Sequence, residues 1–438
     1  MKENKTKKEN KIPNKNKKLK VISIILILLL IILGVVSFAY SQNIKLAKNN
    51  NEEQEVEESK TQEIVLEDNK YMHVEIDASG EQVPVPNGFV GSKATGENEI
   101  DSGFVIYEGE EEVTDNNVAD AQKIRNQYVW VPVPDPSKFY GTDANGKKWG
   151  KNYHFTTGTS SNTTFDDVTG TYAYNWSETN GVMRILSDTD YNTGYREPDV
   201  VVKSGSIGYD MDSRLRTLGL GAETTLEFLM QQEKEFNKMI DSVEKYGGFY
   251  IGRYETGDLN QEYAVVKKGN DDIGDQTWYT MYKKCKEIEH ENTNVVTGMA
   301  WGNQYDRTLM WLMECNAKNT ETGKSKEEVI SDSTSWGNYN NATFTYTNSS
   351  GSTATKNLGS STRIPTGSTE YTKANNIYDL AGNVRDWTME ACSTNNRVTR
   401  GNYYDYTGTH LPASERYQYT NPIYSNESYG CRASLYIK

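Results

Sequence analysis

The sequence predicts an α+β domain carried behind one N-terminal transmembrane helix, and three observations predict it. Val21 to Tyr40 (VISIILILLLIILGVVSFAY) is free of charge and, at about 1.5 Å rise per residue, long enough to cross roughly 30 Å of hydrocarbon as a helix. Residues 225 to 246 repeat apolar side chains at helical spacing and run directly into an aromatic, strand-like stretch, Gly247-Gly-Phe-Tyr-Ile-Gly-Arg-Tyr-Glu255. Short Val/Pro segments, Val83 to Pro86 and Tyr128 to Pro134, read as strands, with proline confining them to sheet edges or strand ends. No period of about 20 to 50 residues recurs, which excludes a solenoid or propeller.

The amino terminus sets the topology. Residues 1–20 hold nine lysines against two glutamates, so this basic tail is expected to stay cytoplasmic and the rest to be exported. Ala39-Tyr-Ser41 offers a small-residue cleavage site, but the apolar run exceeds the about 7–15 residues of a signal peptide's hydrophobic region. An uncleaved, single-pass cell-membrane anchor over 21–40 is therefore expected. Residues 41–69 are polar, acidic and poor in aromatics, the composition of a stalk. The extracellular domain is expected over 70–438. The chain carries a net charge of −14, which leaves −21 outside the basic tail; that balance argues against nucleic acid, whose phosphates reward clustered Lys and Arg.

Within the domain, Leu226, Leu229, Phe236, Ile240 and Val243 fall on one helical face, Thr224 is placed to cap it, and Gly247 suits a left-handed C′ position. A second helix is expected over about 303–315. Residues 331–368 are rich in Ser, Thr, Asn and Gly and predict surface turns with an exposed hairpin. The four cysteines, Cys285, Cys315, Cys392 and Cys431, show no C-x-x-C spacing, which removes zinc ribbons and thioredoxin-like sites and leaves three disulfide connectivities. Cys392 with Cys431, bracketing the C-terminal motifs, is the candidate disulfide, with buried free thiols as its alternative.

Those motifs are Asn376-Ile-Tyr-Asp-Leu-Ala-Gly-Asn-Val-Arg-Asp-Trp387, Arg397-Val-Thr-Arg-Gly-Asn402 and Gly430-Cys-Arg432. Their order resembles the C-terminal signature of the formylglycine-generating (sulfatase-modifying factor) family, a variant of the C-type lectin fold. Gly247–Glu255 is similar to the family's F-Y-I-x-x-Y-E element, and Val295 to Trp301 to its P-V-x-x-V-x-W segment. The resemblance implies a calcium site using Asn383 and Asp386, a chemistry that suits hard oxygen ligands on a tight turn. It also implies a core role for Trp387, and Arg400 and Arg432 paired with carboxylates to lock the C-terminal strands. One departure matters: family enzymes carry reactive cysteines just after the R-G-G-S element, and Gly401 to Leu411 holds no thiol. The histidines His73, His154, His290 and His410 are far apart, without H-x-x-x-H spacing, and no redox cofactor is expected.

Residues 401–438 hold eight tyrosines mixed with Asn, Ser, Thr and Asp. Tyrosine gives large contact area with two χ angles to freeze, and small polar residues adapt their hydrogen bonds. The stretch also resembles the variable region of retroelement-diversified proteins, many of which use a lectin-like scaffold. Tyr403, Tyr404, Tyr406, His410, Tyr424 and Tyr429 are thus the expected contacts to an extracellular protein or glycan. The competing readings are a residual oxidoreductase of the same family and a structural envelope protein. Residues 70–245 receive no role.

Overall fold

The computed structural model describes residues 64–142, 148–150, 177–179, 182–184, 219–222, 225–318, 322–391 and 397–438. The chain divides between Glu63 and Ile64, and every described element belongs to the second unit, Ile64–Lys438. Among the described residues no helix is long and apolar enough to cross a membrane; the basic tail, the span at 21–40 and the stalk up to residue 63 lie outside them.

The unit is a mixed α+β structure around a six-stranded sheet. In spatial order its strands are Val295–Met299, Ala433–Ile437, Gly248–Gly252, Gln127–Pro132, Val105–Glu108 and Phe89–Gly91, every neighbouring pair antiparallel. The strand Ala433–Ile437 is interior, and all five of its residues are buried. Gln127–Pro132 is interior as well, with its proline at a strand end, one of the two places expected for it. Its proline is the final residue, where the missing N–H no longer interrupts the ladder. Gly248 lies where an added Cβ would meet Val131 O at 2.5 Å, so glycine is what lets these two strands approach.

The long helix spans Thr225–Tyr246, as the periodicity predicts. Phe236, Ile240 and Val243 are fully buried together with Met239 and Phe228. Gly247 closes the helix at φ +81, its N–H donating to Val243 O at 2.8 Å in the manner of a left-handed cap. Thr224 lies outside the described residues. The second expected helix is Gly302–Ala317. A third, Trp278–Glu287, capped by the Thr277 hydroxyl, has no counterpart in the sequence reading. It buries Trp278, Tyr279, Met281, Tyr282 and Cys285 and holds Arg397 over the Trp278 ring at 4.0 Å.

A second sheet of four strands carries the C-terminal motifs. Its order is Arg416–Thr420, Arg397–Arg400, Arg385–Ala391 and Tyr429–Cys431; the last pair is parallel, with Asp386 opposite Gly430 and Trp387 opposite Cys431. The hairpin expected within 331–368 is Phe344–Thr347 paired with Thr353–Lys356. The surrounding segment is less exposed than its composition suggested. Trp336, Asn338 and Tyr339 are fully buried, because this loop runs back against the motif turn at Gly382, to which Asn338 bridges.

Candidate functional site

Among the described residues seven non-glycine residues have positive φ, and all are Asn or Asp: Asp258, Asp275, Asn375, Asn376, Asp379, Asn383 and Asn402. Only short polar side chains occupy this region readily, because they can bond locally while the Cβ is crowded. Four of the seven lie in or beside the Asn376–Trp387 motif, so its N-x-x-D-x-x-G-N spacing is first a set of backbone turns. Gly382 (φ +74) shows the constraint: a Cβ there would sit 2.4 Å from Asn338 O.

Asn383 is fully buried. Its Oδ1 accepts from Asn338 Nδ2 at 2.9 Å and from Ile364 N at 3.0 Å, while its Nδ2 donates to Glu255 Oε2 at 2.6 Å and Ile364 O at 3.2 Å. Asp386 faces Arg432, Oδ2 to Nε at 3.1 Å. Asn383 Oδ1 and Asp386 Oδ2 are thus already engaged by N–H donors, and a cation at Asp386 would meet the Arg432 charge. Asp386 Oδ1 is buried without a hydrogen-bond partner among the described residues. Among the described residues no group of three or more His, Cys, Asp or Glu is arranged to hold a metal.

Arg432 is buried and also donates to Gly252 O at 3.1 Å and Tyr378 O at 2.8 Å, tying the motif to the main sheet. Around it stand three buried carboxyls. Burial pushes Glu255 well above the usual carboxylate range and Asp386 to about 6 despite its arginine, and it raises Asp379. A second buried network is balanced. Asp306 joins Arg400 (2.6 Å) and Arg416, and Glu390 joins Arg416 at 3.0 Å; burial still pushes Glu390 up to about 7. Trp387 is fully buried. Arg400 and Arg432 therefore sit inside carboxylate networks that connect the second sheet to the helix at Gly302–Ala317 and to the main sheet.

The tyrosines fall into two groups. Gly401 (φ +76) and Asn402 (φ +60) make two consecutive left-handed steps that turn the chain out of the second sheet. Beyond them, the Tyr403 and Tyr406 rings meet at 5.2 Å, and Tyr406 stacks toward His410 at 6.0 Å and 17°. Tyr406, His410 and Tyr424 are exposed, and Tyr403 is half-buried. Tyr404, expected on the same face, is instead buried, its hydroxyl donating to Glu427 Oε1 at 2.9 Å. Tyr429 is half-buried and stacks on Trp387 at 5.3 Å.

One residue that the sequence reading passed over joins this face. Arg385 opens the strand Arg385–Ala391, and its guanidinium lies over Tyr417 (4.3 Å), Tyr403 (4.7 Å) and Tyr406 (5.7 Å). In sequence it fills a position where the resembled family tolerates any residue, so the motif gave no signal; only the pairing of strands brings Tyr417 beside it.

Cys392 of the candidate disulfide lies outside the described residues. Cys431 faces Cys285 instead, Sγ to Sγ at 3.5 Å, with both side chains fully buried. Burial, with the Cys285 thiol beside it, holds the Cys431 thiol well above its ordinary range.

No family model matches the chain, and no curated protein matches it. Among solved structures, Treponema denticola variable protein 1 matches at 14% identity and a TM-score of 0.28, over 43% of this chain and 84% of that chain. A likeness of that size carries no argument about fold or activity.

Proposed function

We propose that this chain is a membrane-anchored extracellular ligand-binding protein, whose domain is a non-catalytic, formylglycine-generating-enzyme-like variant of the C-type lectin fold. The observation that carries the reading is the aromatic face itself: Tyr403, Tyr406, His410 and Tyr417 gathered with Arg385 at the edge of the second sheet. Rigid aromatic rings beside small polar groups are the chemistry of recognition surfaces. Two further features support it. The segment after Gly401 lacks the thiols that formylglycine formation needs, and Cys431, the nearest described thiol in sequence, is buried and held in its neutral form, where it is a poor nucleophile or metal ligand.

The test is an array of glycans and surface proteins probed with the full-length chain in mild detergent. Saturable binding that falls at least about tenfold in Tyr403→Ser and Tyr406→Ser is expected, since each ring is a candidate anchor of about 2 kcal/mol. Binding that ignores both substitutions, or no binding at all, would sink the proposal and favour the structural envelope role.

A further inference from the structure

Arg385 is 6% exposed, yet it has no carboxylate within ion-pair distance among the described residues. Five other buried arginines, Arg253, Arg307, Arg400, Arg416 and Arg432, each have one. A buried charge is costly unless paired, and here the only hydrogen bond runs from Nε to Asn402 Oδ1 at 3.2 Å. Ring faces approach the guanidinium at 4.3 and 4.7 Å, and such cation–π contact compensates part of the lost hydration. The Nη1/Nη2 edge has no acceptor among the described residues. That edge is a fork of parallel N–H donors, the geometry that binds one planar carboxylate with two hydrogen bonds.

The surroundings narrow the class of ligand. Asp405 and Glu427 are exposed close to the rings, Asp405 accepting from Ser361 and Glu427 from Tyr404. Glu415 is near enough to feel the Arg385 charge, and the chain as a whole is at −14. A segment with many negative charges would be repelled by these carboxylates. A ligand with one carboxylate and several hydroxyls would not: the hydroxyls can donate to Asp405 and Glu427, and the apolar face of a ring can lie on Tyr406, 36% exposed.

Resting on the reading of this face as a binding surface, we infer that Arg385 receives the carboxylate of a sugar acid, a pyranose of the glucuronate type, with Tyr403, Tyr406 and Tyr417 as the walls of the subsite. Saturation-transfer NMR on the full-length chain in detergent tests it, with glucuronate, neutral glucose and an acetylated glutamate tripeptide as probes. Glucuronate is expected to saturate at least about tenfold more tightly than glucose, and Arg385→Gln to reduce it to the glucose level. Arg385→Lys, which keeps the charge without the fork, should recover only part of the difference. Because Arg385 is buried, Tyr406→Ser at an exposed ring gives a second variant that is not exposed to misfolding, and it should weaken both sugars. Equal binding of glucose and glucuronate, or no effect of Arg385→Gln in a folded protein, overturns the inference. So does a glutamate peptide that binds with the same Arg385 dependence, which would move the anion to a protein ligand. If the array yields a ligand but glucuronate does not bind, the sugar-acid assignment falls alone; if the array is blank as well, both readings fall.

Discussion

At Asn383 a left-handed backbone (φ +61) and four side-chain hydrogen bonds coincide in a fully buried position. Asn383→Ala should cost about 3 kcal/mol or more, because it removes four buried side-chain hydrogen bonds to Asn338, Ile364 and Glu255. Asn383→Asp separates the two roles this residue could play. As a calcium ligand, a carboxylate would bind the ion better; in the observed network it adds a second acid 2.6 Å from Glu255. The expected outcome is a lower melting temperature at neutral pH that calcium does not restore, read by thermal melts with calcium and with chelator. Glu289 supplies a pH-dependent case. Its Oε1 accepts from Asn126 at 3.1 Å and Tyr128 at 3.0 Å, and burial pushes its carboxyl up to about 8. At pH below about 4.5 it is protonated in both states and contributes no penalty. As pH rises toward 8 the unfolded chain loses that proton first, and stability falls. Glu289→Gln keeps both hydrogen bonds and removes the titration, so it should stabilise by a few kcal/mol near pH 8 and be close to neutral near pH 5. A difference between wild type and variant that does not change with pH would refute this account.

Elements with a single strong periodicity were legible from sequence, and those defined by their neighbours were not. The helix Thr225–Tyr246 was readable because its apolar stripe, its length and Gly247 agree. Trp278–Glu287 was missed because its clustered aromatics and β-branched neighbours mimic a strand, and only packing against Val295–Met299 of the main sheet sorts them. The strands Phe89–Gly91 and Val105–Glu108 are too short to announce themselves. Of the candidate site, the tyrosines could be read as a composition, but which of them face solvent could not: Tyr404 turns inward and Tyr406 outward beyond the left-handed pair Gly401 and Asn402. Cys285 likewise finds Cys431 only through packing of the helix on the strand Tyr429–Cys431. Refolding in glutathione disulfide should join these two, each thiol giving up its proton and one electron to the glutathione couple, once the sulfurs close from 3.5 Å to about 2.05 Å. Peptide mapping after alkylation checks it. A linked Cys285–Cys431 peptide is expected, and a Cys392–Cys431 peptide would instead restore the pairing expected from sequence.

For the molecule as a whole, buried acids set the response to pH. Glu255 and Asp379 are raised, Asp386 stands at about 6, Glu390 at about 7 and Glu289 at about 8. Each binds more protons in the folded state, so each lowers stability as pH rises from its unfolded value toward its folded one. Burial opposes ionisation of Glu97, Asp77 and Glu328 too, but it is outweighed: by the Arg253 charge at Glu97, and chiefly by backbone N–H donors at Asp77 and Glu328. Held below their ordinary values, these three contribute stability that is lost as pH falls below about 4. Urea midpoints should therefore peak near pH 5 and decline toward pH 8; a flat or rising profile across that range would contradict the buried networks. The strand Ala433–Ile437 lies between Gly248–Gly252 and Val295–Met299, although it is translated after every other strand of that sheet. The nascent chain therefore reaches the far side of the ribosome, and of any membrane it crosses, with a gap in the middle of its main sheet. Cotranslational folding has to wait for these residues, the waiting intermediate exposes two open strand edges to chaperones and proteases, and a frameshift or nonsense codon shortly before residue 433 removes the keystone rather than a tail.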